Sequence, residues 1–206
     1  QNTTTSVPGG YEDVISVGSS DPDGDVSAFS TGETFDPEQR YGSKAADAAD
    51  PQITPFIVAP GRSVQSANAV AGDGFETLSG TSMAAPHVAG VVALMRDNNP
   101  SLTPDEVQKG LRVGAVQLDG YTQRNNRSGY GVVNATNSLR VTDSNYISVD
   151  NVQTSQPTVT EGETVDVTAT LANPNVIGDT ASQTVSLTAD GSVVDTRSVT
   201  LSAEGS

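Results

Sequence analysis

Apolar residues follow two different rhythms along this chain, and the change falls near residue 140. Before it they form short unbroken runs: Val14, Ile15 and Val17 end at Gly18, while Phe56, Ile57 and Val58 are stopped by Pro60-Gly61. Runs of that length bounded by turn residues predict buried strands. The longer run Val91-Val92-Ala93-Leu94-Met95 belongs to an amphipathic helix expected from Ser82 to about Asn98, with Pro100 just beyond its end. Pro86 lies inside that helix and removes one backbone donor, which loosens the turn beside Ser82. Thr103-Pro104-Asp105-Glu106 reads as a capping box: threonine at the cap, proline at the first helical position and a glutamate reaching back. Val107 and Leu111 give the following helix its apolar stripe, and a last short helix is expected over Val133 to Leu139. Residues 32–55 are polar with few apolar anchors and read as a long exposed loop, of the kind that is functional or mobile. Strands alternating with helices define an α/β domain.

After residue 140 the period drops to two. Thr164, Asp166, Thr168 and Thr170 alternate with Val165, Val167, Ala169 and Leu171, and Thr184, Ser186 and Thr188 alternate with Val185 and Leu187. Asp190-Gly191 is a strong hairpin signal. Four or five short strands of this kind predict an immunoglobulin-like β-sandwich, and the stretch is shorter than the roughly 100 residues a complete one takes. The expected organisation is therefore an α/β domain over 1–140 followed by a partial β-sandwich over 141–206.

Charge narrows the partners. The chain has 206 residues, 25 acidic against 10 basic, for a net charge of −15. Only Lys44 and Lys109 are lysines. A surface of this sign repels nucleic acid and anionic membranes. Acid excess with scarce lysine is also the composition of halophilic proteins, whose self-repulsion is screened by salt. The 141–206 stretch is the more lopsided, with nine acids and a single base, Arg197. The absence of cysteine excludes disulfides and thiolate metal sites but says nothing of compartment. No apolar run approaches the length of about 18 residues that a membrane helix needs.

Chemistry concentrates in Gly80-Thr-Ser-Met-Ala-Ala-Pro-His-Val-Ala-Gly90. A small-residue turn delivers Ser82 onto a helix N-terminus, where unpaired backbone N–H groups can stabilise an oxyanion. A serine hydroxyl is a weak nucleophile without a base, itself oriented by a carboxylate. The chain has one histidine, His87, five residues on from Ser82. At about 100° per residue the two side chains diverge by about 140° around the helix. His87 is therefore read as structural, packed or capping within the helix.

The box resembles the serine box of subtilisin-like serine proteases, and the resemblance covers about residues 6 to 140. Val7-Pro8-Gly9-Gly10-Tyr11-Glu12-Asp13-Val14-Ile15-Ser16-Val17-Gly18 is similar to the family's strand-rich segment upstream of the serine, followed by Ser27-Ala28-Phe29-Ser30. Val58-Ala59-Pro60-Gly61 is similar to its approach to the box, and Gly129-Tyr130-Gly131 with Val133-Asn134 to the opening of its final helix. The resemblance implies roughly the C-terminal half of a catalytic domain. Ser82 is then the nucleophile and its own N–H part of the oxyanion hole. The triad order Asp, His, Ser puts the other two members in an upstream half outside these residues. The second oxyanion donor, an asparagine in an Ala-Gly-Asn stretch, is also upstream; Asn2 does not match it. Most pocket walls come from that upstream half, with only Val7 to Gly9 contributing here. The implied substrates are proteins or peptides and the implied location is extracellular.

Other signals are weaker. Asp21-Pro22-Asp23-Gly24-Asp25 clusters carboxylates but lacks the spacing of a twelve-residue calcium loop, so it reads as a surface turn. No cofactor is assignable, and the resemblance leaves structural calcium open for the complete protein. Asn126-Arg127-Ser128, Asn134-Ala135-Thr136 and Asn2-Thr3-Thr4 fit glycosylation sequons. Met83 is an oxidisable neighbour of the serine. Two other readings stand beside the protease: a non-enzymatic module derived from a protease half, and an α/β-hydrolase. The hydrolase elbow Gly-x-Ser-x-Gly is broken here by Ala84.

Overall fold

A computed structural model of the chain describes residues 9–11, 13–41, 52–68, 74–118, 120, 123–158, 160, 162–178 and 180–203. The Asn2-Thr3-Thr4 sequon, the Val7-Pro8 strip and residues 42–51 lie outside these. The chain divides into two compact units, Gln1–Leu139 and Arg140–Ser206.

In order, the elements are β1 (Val17–Ser20), β2 (Glu33–Phe35), α1 (Pro37–Tyr41), β3 (Gln52–Thr54), β4 (Ile57–Pro60), β5 (Val64–Asn68) and β6 (Gly74–Leu78), then α2 (Thr81–Asn98), α3 (Pro104–Gly114) and α4 (Ala135–Val141). The second unit adds β7 (Ser148–Thr154), β8 (Val167–Ala172), β9 (Thr180–Ala189) and β10 (Ser192–Ser202).

The first unit is organised on a parallel pair. β1 lies beside β4 in the register Val17↔Ile57 to Ser20↔Pro60. On the far side of β4, Val58 N–H donates to Gly131 O and Val133 N–H to Val58 O, both at 2.9 Å, and Val132 bridges in turn to Val116. Ile57, Val58 and Ala59 are consequently fully buried. Helix α2 packs across β1 and β4. It buries Ala84, Val88, Val91 and Met95, spaced four, three and four apart, which is one stripe of a 3.6-residue helix.

Two expectations are corrected. The strand expected at Val14–Val17 begins only at Val17: Phe56 and Ile57 N–H donate to Ser16 O, so pairing starts where β4 arrives and not where the apolar run starts. The 32–55 stretch is not a plain loop. Among its described residues β2 pairs antiparallel with β3, and Arg40 bridges Glu33 while stacking 4.2 Å over Phe35. Its polarity misled the reading because the ion pair and the cation–π contact do the anchoring that apolar side chains were expected to do. α3 has the capping box as expected: Glu106 N–H donates to Thr103 Oγ1, and Thr103 N–H donates back to Glu106 Oε2 at 2.7 Å.

The second unit consists of two antiparallel ribbons, β7–β8 and β9–β10. Asp190 and Gly191 both have positive φ, 50° and 77°, which is what a tight turn between right-twisted strands demands.

Candidate active site

Ser82 is the second residue of α2 and is exposed. Gly80 caps the helix without a side-chain hydrogen bond, and its carbonyl accepts from Met83 N–H at 3.0 Å and Ala84 N–H at 3.3 Å. Those bonds leave the N–H groups of Thr81 and Ser82 without an acceptor among the described residues. They carry the positive end of an 18-residue helix dipole. Pro86 has no N–H, so the Ser82 carbonyl also lacks its usual helical donor four residues on. Met83 is half-buried, its sulfur lying near Gly80.

The turn is placed by the parallel pair. Gly61 follows β4 directly; its N–H donates to Ser20 O at 3.1 Å, and its carbonyl accepts from Gly80 N–H at 2.7 Å. A side chain at Gly61 would press on Ser19 Oγ and stand 2.7 Å from Gly80 O, so glycine is required for this approach. Ser63 N–H donates to Ser79 Oγ at 2.9 Å. Ser82 thus stands at the carboxyl ends of β1 and β4, where α/β sheets habitually place their sites.

His87 is exposed, and its Nδ1 lies 2.9 Å from Met83 O. A carbonyl only accepts, so Nδ1 carries the proton. The ring is engaged within its own helix, and no contact joins it to Ser82. Of the residues singled out in the sequence, the structure brings together Ser82, Gly80 and Gly61, and leaves His87 apart.

Asp21, which the sequence marks only as part of a surface turn, makes side-chain contacts that no sequence pattern announces. Its Oδ1 accepts from Ser27 Oγ and its Oδ2 from Arg62 at 3.0 Å. Its backbone closes a turn, with Asp21 N–H donating to Asp25 O and Gly24 N–H to Asp21 O. Both oxygens of the Asp21 carboxylate are thus engaged by side-chain donors. Among the described residues no three His, Asp or Glu side chains gather as metal ligands. The sequons differ in setting: Asn126 is exposed, whereas Asn134 Oδ1 accepts from Asn137 N–H at the start of α4.

A serine on a helix N-terminus at the carboxyl end of a parallel α/β pair defines a class in which backbone dipoles serve an exposed hydroxyl. The chain belongs to the subtilase family, Peptidase S8, whose match runs over residues 1–131. It is 35% identical over 133 residues to alkaline elastase YaB of Bacillus sp. strain YaB, covering 65% of this chain and 29% of that protein. It is 37% identical over 148 residues to the serine protease AprX of Bacillus subtilis, covering 66% of this chain and 32% of that protein. The solved structure of the Clostridium perfringens CspB protease matches with a TM-score of 0.54 at 34% identity, over 66% of this chain and 27% of that one. The first unit therefore has a subtilisin-like α/β fold, and the chain spans about a third of the curated relatives it matches.

Proposed function

We propose that this chain carries the C-terminal half of the catalytic domain of a serine endopeptidase in which Ser82 is the nucleophile. The observation that carries the reading is the setting of Ser82: exposed, with an N–H that has no acceptor among the described residues, on the first turn of a helix held at the strand ends. In the proposed reaction an upstream histidine, oriented by an aspartate, takes the Ser82 proton. Oγ attacks the scissile carbonyl, the Ser82 N–H and an upstream asparagine hold the oxyanion, and the C–N bond breaks as the histidine passes its proton to the departing amine. Water, deprotonated by the same histidine, then hydrolyses the acyl ester and frees Ser82.

The surface of α2 supports the need for an upstream half. Ala85, Ala89, Gly90, Ala93 and Leu94 are exposed, Leu94 by 53%, on a helix apolar nearly all round. Such helices belong in the middle of a domain. The second unit we read as part of an immunoglobulin-like sandwich. Val149, Val167, Ala169 and Leu171 of one ribbon and Val185, Leu187 and Val199 of the other line one cavity of about 280 Å³, as two inner faces would. The substrates are proteins or peptides, and the setting is extracellular and saline.

The test uses the full-length protein and a fluorophosphonate, which forms an Oγ–P bond with an activated serine and releases fluoride. Labelling should fall on Ser82, and Ser82→Ala should remove nearly all peptide hydrolysis, on the order of 10³-fold or more. The 206-residue chain alone should neither label nor hydrolyse. Unchanged hydrolysis by the alanine variant defeats the assignment, and a full-length protein that never labels favours the non-enzymatic module.

A further inference from the structure

The corner that presents Ser82 rests on a hydrogen-bonded chain that begins at Asp21. Beneath Gly61, Ser19 Oγ sits where a side chain on that glycine would have to go. Ser19 Oγ meets Ser27 Oγ at 2.9 Å, and both residues are fully buried. Ser27 Oγ in turn reaches Asp21 Oδ1. The proton order follows from the end of the chain. A carboxylate can only accept, so Ser27 donates to Asp21 and Ser19 donates to Ser27. Ser19 is fixed from behind as well, its N–H donating to Ser30 Oγ at 2.9 Å. The other oxygen of Asp21 takes Arg62, the residue immediately after Gly61. One carboxylate thus holds the Gly61 corner twice, from below through two hydroxyls and from its far side through a guanidinium. Gly61 in turn receives the Gly80 N–H that sets the start of α2.

We propose that Asp21 is a positioning residue for the nucleophile, acting on Ser82 through Ser27, Ser19 and the Gly61–Gly80 contact. The inference rests on the reading of Ser82 given above. The hydroxyl arm is the stronger of the two. Arg62 is 46% exposed and its ion pair is weakened by solvent, whereas removing Asp21 leaves the buried Ser19–Ser27 pair with two hydroxyl protons and one acceptor between them. A shift of well under an ångström at Gly80 is enough to matter, because attack geometry is steep in position.

The test is the rate of fluorophosphonate labelling at Ser82, with kcat and KM, in the full-length protein and in Asp21→Ala, Ser27→Ala and Arg62→Ala. Asp25→Asn serves as the control, since it removes a neighbouring charge whose side chain is outside the chain of contacts. Asp21→Ala should label about tenfold more slowly or worse, with kcat falling in parallel and KM staying within about twofold. Ser27→Ala should show most of that loss, Arg62→Ala a smaller part, and Asp25→Asn none. Wild type that fails to label at Ser82 defeats the nucleophile reading itself. Wild type that labels, beside a folded Asp21→Ala that labels equally fast or changes only KM, overturns the positioning role. Should Asp21→Ala not fold, Ser27→Ala decides: slowed labelling supports the role and wild-type labelling overturns it.

Discussion

His87 and Ser82 share a helix but not a task. The Nδ1–H of His87 donates to the Met83 carbonyl at 2.9 Å. Glutamine supplies an amide N–H of similar reach, so His87→Gln in the full-length protein should keep turnover within a few-fold of wild type. A folded variant as inactive as Ser82→Ala would overturn this. The sequence made Ser82 legible because small residues at fixed offsets around it leave a recognisable string. Asp21 was illegible for the opposite reason. Its partners, Ser27 and Arg62, lie 6 and 41 residues away, and Arg62 reaches it only because β1 and β4 align in one particular register. Hydrophobic runs announce strands without announcing their register. The buried serines 19, 27 and 30 likewise carry no apolar signal that would have placed them in a core.

At the scale of elements, legibility follows how local the determinants are. α3 is specified within four residues by its capping box, and the structure has it from Pro104 to Gly114. Thr103→Ala should cost about 1 kcal/mol, measured by urea unfolding of the full-length protein. The box is also sensitive to acid. Hydrogen bonds from the Thr103 backbone and side chain, with a small contribution from Lys109, hold the Glu106 carboxyl below its ordinary 4.5. A depressed folded pKa adds stability above the unfolded value and loses it as pH falls through the folded one. The stability gap between wild type and Glu106→Gln should therefore be full at neutral pH and shrink below about pH 4.5. A gap that widens in acid would mean the contact works through something other than the carboxylate. The β5–β6 ribbon, by contrast, left little trace in the sequence. Gln65, Ser66, Ala67, Glu76 and Thr77 are all exposed, so no buried face imposed an alternating pattern. Its position is set from outside, by the corner at Gly61 and Gly80.

Across the whole molecule the notable economy is in cations. Ten bases serve 25 acids, and several arginines of the first unit spend themselves on carbonyls and rings. Arg127 donates to Ser30 O, Val26 O and Ser27 O, Arg124 to Ile53 O, and Arg96 to Leu102 O and Pro100 O. Such contacts depend little on screening, unlike the half-exposed Arg62–Asp21 pair or the exposed Arg197–Asp195 pair. Salt should therefore relieve repulsion without dissolving the arginine contacts. The Debye length shrinks from about 30 Å at 0.01 M to about 3 Å at 1 M. The thermal midpoint of the complete protein should rise from dilute buffer into molar KCl, and much of the rise should persist in NaCl. A midpoint that stays flat or falls in a melting series would remove the saline reading.

The parallel pair at the centre of the first unit has a kinetic consequence. Contacts between the starts of β1 and β4 span 40 residues, and a parallel pair cannot be closed by a tight turn. Loop closure must be met before any of that pairing is rewarded, so the barrier to reaching the native state is raised more than the native state is destabilised. Each molecule then spends an extended interval with the future seat of its serine unformed and its strands open. Under the proposed function, such late copies are substrates for any copy that has already folded into a peptidase. A proteolytic enzyme built on this topology gains from any device that keeps newly made chains away from finished ones until the pair has closed.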